Sequence, residues 1–170
     1  MWKTLRQIVR VGRISEPGSS DSTAVQAATP QIRAELLRIL GRALAVRVVD
    51  AGSCNGCELE ISALSNPYFN LEGLGLQFVA SPRHADLLLV TGPVSRHMEL
   101  ALRRTFDAMP APRLVVAVGD CAAQCGVFGA GYAGCGRVAD VLPVDVTVTG
   151  CPPAPADVLA GILQAVQRRV

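Results

Sequence analysis

Residues 86–91 read DLLLVT, an apolar run of strand length with no helical spacing. Such a run suits a strand buried on both faces, as in a parallel sheet covered by helices. The same texture recurs on either side: AVRVVD at 45–50, LQFVA at 76–80, LVVAVG at 114–119 and VDVTVT at 144–149. Helical stretches lie between these strands. Residues 58–64 open a short helix. Residues 95–109 carry Met98, Leu102 and Phe106 on one stripe, and 155–169 turn Val158, Ile162, Ala165 and Val166 inward. Arg168 and Arg169 then fall near the helix end that favours cations. Alternation of strand and helix predicts an α/β fold: a parallel sheet of about five strands with helices on both faces.

The 170 residues suit one domain, and 50% hydrophobic content provides a core. Aromatic residues are 4% of the chain and the formal net charge is +2. Both argue against nucleic acid as a partner. No apolar run approaches membrane-span length. Lys3, Arg6, Arg10 and Arg13 interrupt the first residues and leave no secretory h-region. A cytoplasmic chain is therefore expected. In that reducing compartment six cysteines point to metal or redox chemistry rather than disulfides.

Two parts are expected: an N-terminal arm and linker over 1–29, and a single α/β domain over 30–170. Within the arm, Trp2, Leu5, Ile8 and Val9 recur at helical spacing among basic residues, as in a segment that docks on a partner or a membrane surface. A frayed terminus is the plainer alternative. Residues 15–29 have linker composition. Thr29-Pro30 then resembles a cap and first helical position, with Ile32, Leu36, Leu37 and Leu40 giving 30–41 an apolar face.

The cysteines follow the strands. Cys54 and Cys57 come just after the first, Cys121 just after the fourth and Cys151 just after the fifth. Parallel strands all end on one edge, so these four thiols are delivered to one rim, where open α/β sheets carry their ligands. Gly52 and Gly56 allow a tight turn and close approach to a bulky ligand. A helix starting near Cys57 would aim N–H groups at the thiolates. Pro152 and Pro153 turn the chain away after Cys151. Four thiolates bind zinc or an iron–sulfur cluster. One close pair with two distant single cysteines suits a cluster seated on a preformed fold better than a zinc module that nucleates folding. Cys125, four residues after Cys121, could share its helical face and compete for the site; otherwise it is a small buried hydrophobe, as is Cys135. A flavin- or nucleotide-binding enzyme would need a phosphate loop after the first strand, and cysteines occupy that position.

Several motifs together carry a resemblance: CNGCE at 54–58, SPRHAD at 81–86, MPAPR at 109–113, GDCA at 119–122, PVDV at 143–146 and GCPP at 150–153. From about residue 43 onward the chain resembles the small cluster-bearing subunit shared by respiratory complex I (its 20 kDa or B subunit) and membrane-bound group 4 [NiFe]-hydrogenases. The resemblance implies a flavodoxin-like fold and a single [4Fe–4S] cluster on Cys54, Cys57, Cys121 and Cys151, with no catalytic residue of this chain's own. It implies an electron-transfer subunit within an oxidoreductase complex. The partners it implies are a large hydrogenase or complex I 49 kDa-like subunit, with further iron–sulfur and membrane subunits. The complex would lie on the cytoplasmic face of the inner membrane.

Complex I subunits of this type usually place two cysteines side by side. The Cys54–Cys57 spacing instead resembles hydrogenase and formate hydrogenlyase small subunits, so that branch is expected, with quinone reduction the alternative. Neither a twin-Arg signal nor a cluster-rich C-terminal extension is expected here. Glu58 resembles a family acid: it could move protons near the cluster, or simply interact with the helix dipole. Arg83 and His84 are candidates for the same rim or for ordinary surface roles. Asp120 is read as a cap for the next turn. Gly126–Gly136 does not fit a dinucleotide fingerprint and is read as a flexible loop that orders against a partner.

Overall fold

The computed structural model describes residues 2–11, 41–129 and 131–168, together with 34, 37 and 38. The linker expected over 15–29 lies outside the described residues. So does most of the helix expected over 30–41, of which residues 34, 37 and 38 are helical.

The elements in chain order are helix α1 (Trp2–Val11), strand β1 (Leu44–Asp50), α2 (Gly56–Ala63), β2 (Leu76–Phe78), β3 (Leu87–Thr91), β4 (Val94–Ser95), α3 (Arg96–Ala108), β5 (Leu114–Val118), α4 (Asp120–Gln124), β6 (Gly134–Gly136), β7 (Val146–Val148) and α5 (Pro155–Gln167). Short 3₁₀ turns cover Pro82–His84, Gly126–Phe128 and Val138–Asp140. Five strands pair in parallel in the order β2-β1-β3-β5-β7. Counting only these strands, the order is 2-1-3-4-5, the flavodoxin-like winding. It reverses between β1 and β3, so a crevice opens beyond the end of β1.

Alternate residues of each strand feed two cores. On one face Leu44, Val46, Leu87, Leu89, Val116 and Val148 meet Ile61 and Leu64 of α2's side and Val158 and Ile162 of α5. On the other face Val49, Leu88, Val90, Val115 and Ala117 meet Leu102 and Met98 of α3, and Ala122 of α4. All five residues of β3, the DLLLVT stretch without its Asp, are buried. That explains why no period-2 alternation appears there: both faces of this central strand are covered.

Two acids fasten the sheet at the edge where the strands begin. Asp86 Oδ2 accepts the Ala45 N–H at 3.1 Å, and Arg42 donates to both oxygens of the same carboxylate. Asp145 Oδ2 accepts the Val115 N–H at 2.8 Å. Two of the resembled motifs, SPRHAD and PVDV, are thus explained by strand docking rather than by the cysteine rim.

The glycine-rich stretch Gly126–Gly136 carries short regular elements at its two ends. It begins with the 3₁₀ turn Gly126–Phe128 and ends in β6, which pairs antiparallel with β4. Arg96 pins its middle, donating from Nε to the Tyr132 carbonyl at 2.6 Å and from its backbone N–H to the Ala133 carbonyl at 2.9 Å. Val127, Phe128 and Tyr132 are left exposed.

Candidate metal centre

The edge where β1, β3, β5 and β7 end is where the cysteine loops meet. The first loop is shaped by Asp50, whose Oδ1 accepts the N–H groups of Gly52 (2.8 Å) and Ser53 (2.7 Å). Ser53 Oγ in turn accepts the Asn55 N–H at 3.0 Å. Asn55 takes the left-handed conformation (φ 71°), and α2 starts at the next residue. This corrects the reading of Gly56. The tight turn is made by Asn55, whose short polar side chain tolerates that region. Gly56 is helical, and a Cβ there would meet Cys54 Sγ at an ordinary 3.6 Å. Cys57 sits buried in the first turn of α2, while Cys54 stays exposed.

Cys121 follows β5, buried in α4, and Cys151 follows β7, exposed. Their loops are tied together. Asp120 Oδ1 accepts the Gly150 N–H at 2.8 Å, and the Asp120 N–H donates to the Gly150 carbonyl at 2.9 Å. Asp120 is therefore more than the cap expected from sequence: it joins the residue before Cys121 to the residue before Cys151.

Glycine backbone lies against both buried sulfurs. Gly119 has φ 92°, and a Cβ on it would stand 2.6 Å from Cys57 Sγ. Gly126 has φ 43°, and a Cβ on it would stand 2.7 Å from Cys121 Sγ. Neither position accepts a side chain without moving a thiol.

The two buried thiols are both shifted upward. Burial pushes the Cys57 thiol up from its ordinary 9.0 to about 11, and Glu58, Cys121, Cys54 and Cys151 add to the shift in that order. Burial also raises Cys121. A hydrogen bond from the Val127 backbone opposes this, and Cys151, Cys54 and Asp120 reinforce it. Each buried thiol thus feels other cysteines of the set. Crowded thiols keep their protons until cationic metal replaces them.

Helix α4 ends at Gln124, and Cys125 turns left-handed (φ 66°) while its N–H still donates to the Cys121 carbonyl at 3.0 Å. Cys125 lines a cavity with Val94, Phe128 and Gly134. Cys135 donates from Sγ to Glu99 Oε2 at 3.2 Å. Arg83 and His84 are also away from the rim. They form the 3₁₀ turn leading into β3, whose first residue, Leu87, is level with Val46 of β1. Asp50, at the cysteine end of β1, lies four rungs further on, roughly 13 Å at the strand rise. The sequence placed them near the rim because they follow β2, but β2 is only three residues long and stops level with Val46.

Glu58 is more deeply engaged than a dipole partner. Its Oε1 accepts hydrogen bonds from Ser53 Oγ at 2.6 Å and from Thr91 Oγ1, while Oε2 is buried without a hydrogen-bond partner. Thr91 is 0% exposed at the end of β3. Sequence reading missed Ser53 and Thr91; the available signal was a hydroxyl closing an otherwise apolar strand beside the cysteine edge.

Among the described residues, no three His, Cys, Asp or Glu side chains close on a point where they would hold a single metal ion. The candidate donors are all sulfur, and the close approaches to the two buried ones are made by glycine backbone. That set fits a multi-metal sulfur cluster, which takes each thiolate on a different iron and so spaces its ligands wider than one ion does.

The fold is shared with a chain of the [NiFeSe] hydrogenase from Desulfovibrio vulgaris Hildenborough, with a TM-score of 0.52 at 19% identity over 78% of this chain and 66% of that one. A chain of the membrane-bound sulfane sulfur reductase, an archaeal respiratory membrane complex, superposes with a TM-score of 0.65 at 28% identity, covering 81% of this chain and 74% of that one. Residues 54–165 match the family described as NADH ubiquinone oxidoreductase, 20 Kd subunit, and the chain belongs to that family. Its members are subunits of oxidoreductase complexes.

Formate hydrogenlyase subunit 7 of Escherichia coli is 42% identical over 134 residues, 79% of this chain and 52% of that protein. A probable membrane-bound hydrogenase subunit of Pyrococcus furiosus is 39% identical over 135 residues, 79% of this chain and 81% of that one. An NADH-quinone oxidoreductase B subunit of Herpetosiphon aurantiacus is 47% identical over 109 residues, 64% of this chain and 60% of that protein. The chain thus spans about half the length of the formate hydrogenlyase protein. No helix among the described residues is long and apolar enough to cross a membrane.

Proposed function

We propose that this chain is the electron-transfer subunit of a membrane-bound hydrogenase or formate hydrogenlyase-like complex, holding one [4Fe–4S] cluster on Cys54, Cys57, Cys121 and Cys151. The observation that supports this reading is that the parallel strands β1, β5 and β7 lead at one edge into Cys54 and Cys57, Cys121 and Cys151, with glycine backbone against the two buried sulfurs. When bound, such a cluster supplies a one-electron donor and acceptor.

The chain's own residues hold and shield that site. Asp120 fixes the spacing between the Cys121 and Cys151 loops through its two bonds to Gly150. Glu58, gripped by Ser53 and Thr91, ties the start of α2 to the end of β3 and so fixes Cys57. Cys125 and Cys135 are not ligands. The exposed residues Cys54, Cys151, Pro152, Val127, Phe128 and Tyr132 form the docking face for the large subunit. Through that subunit and its iron–sulfur and membrane companions, the chain sits peripherally on the cytoplasmic face of the inner membrane. Arg83 and His84, at the opposite edge, take no part.

The separated Cys54–Cys57 pair favours the hydrogenase branch over the quinone-reducing one. The test is electron entry in the intact membrane complex containing this chain, followed by electron paramagnetic resonance. Hydrogen gas is expected to reduce the cluster and so bring up its signal, and NADH is not. Reduction by NADH with reoxidation by quinone, and silence toward hydrogen, would overturn the branch assignment.

A further inference from the structure

Helix α1 (Trp2–Val11) plays no part in the cysteine rim, yet its pattern is pronounced. Trp2, Leu5 and Val9 are 86%, 54% and 83% exposed, and Arg6 and Arg10 are exposed as well. At 3.6 residues per turn the three apolar residues share one arc of about 60°, and Lys3, Arg6 and Arg10 share a neighbouring arc of about the same width. The helix contains no acidic residue. Its three cations exceed the formal net charge of the whole chain, which is +2. None of the ion pairs among the described residues uses them.

A ten-residue helix is marginal in water on its own. It becomes stable when its apolar arc is covered and its cations find anions. An acidic protein groove would also meet the charge, but it need not be continuous with an apolar bed for a tryptophan at the helix's very start. A sheet of lipid phosphates meets a purely cationic arc, and the hydrocarbon beneath it takes an adjoining arc of Trp, Leu and Val. Tryptophan also favours the boundary between headgroups and acyl chains.

We propose that α1 lies in the plane of an anionic lipid surface, with Trp2, Leu5 and Val9 at the acyl boundary and Lys3, Arg6 and Arg10 on headgroup phosphates. The contact is made by this chain itself and is independent of the metal assignment, since it involves no cysteine. It holds the domain at the membrane without a spanning segment.

Trp2 is the chain's only tryptophan, so its emission reports on α1 alone. The full chain is titrated with phosphatidylglycerol vesicles and, separately, with phosphatidylcholine vesicles. A saturable blue shift is expected with the first and not with the second. Lys3→Glu, Arg6→Glu and Arg10→Glu together are expected to weaken binding on the order of a hundredfold, because each cation near the surface contributes separately. High salt should weaken it as well. Emission unchanged by phosphatidylglycerol would overturn the proposal. So would equal shifts with both lipids, or a shift produced only by adding the partner subunits, which would make α1 a protein-docking segment.

Discussion

Gly119→Ala should leave the chain folded but with little iron. The backbone at Gly119 has φ 92°, a conformation an L side chain resists, and the new Cβ would stand 2.6 Å from Cys57 Sγ. Strain of that kind costs on the order of 1–3 kcal/mol. The stability cost alone is survivable for a domain with two well-filled cores. The site cost is larger, because either Cys57 leaves its position or Gly119 moves and takes neighbouring Asp120 and Cys121 with it. Gly75→Ala separates the two effects. Gly75 also has a positive φ, 83°, yet a Cβ there meets nothing within 4 Å. Iron per chain is expected to fall about tenfold or more in Gly119→Ala and to stay at the parent level in Gly75→Ala, with melting curves confirming that both fold. Equal iron in the two variants would show that the close approach to Cys57 does not matter.

The second large effect belongs to the cysteines. Serine at 54, 57, 121 or 151 is expected to remove most of the iron in each case, since an alcohol is a poor substitute for a thiolate on a soft metal. Serine at 125 or 135 should leave the iron content unchanged. The contrast between 121 and 125 is the sharpest part. Spacing alone left either able to serve. The end of α4 at Gln124 and the left-handed Cys125 favour Cys121. Loss of iron in Cys125→Ser with retention in Cys121→Ser would reverse the assignment.

The difference between these two thiols shows what the sequence could and could not convey. The sheet was legible because its strands are buried on both faces and so read as short apolar runs. Given parallel strands, the meeting of Cys54, Cys57, Cys121 and Cys151 at one edge follows from topology alone. Two things were not legible. The first is local backbone geometry: Asn55 rather than Gly56 takes the left-handed turn, and one residue beyond α4 swings Cys125 toward a different cavity. The second is which edge a loop residue serves. Arg83 and His84 follow a strand, as the cysteines do, but β2 stops level with the start of β3. The acids divide in the same way: Asp50 and Asp120 shape the cysteine loops, while Asp86 and Asp145 fasten strand entries at the far edge. Nothing in a one-dimensional pattern separates these pairs, because the edge each acid serves is set by where its strand lies in the folded sheet.

The β4–β6 ribbon was missed for a related reason. Two- and three-residue strands, one of them Gly-Cys-Gly, carry no hydrophobic period. They form because Arg96 and the Val94–Ser95 backbone hold the glycine-rich stretch in place.

The most direct test of the central claim is the metal content of the full chain purified without oxygen, read with its electron paramagnetic resonance spectrum after reduction. The account predicts about four irons and four acid-labile sulfides per chain and the signal of one reduced [4Fe–4S] cluster. Stoichiometric zinc without iron would contradict it.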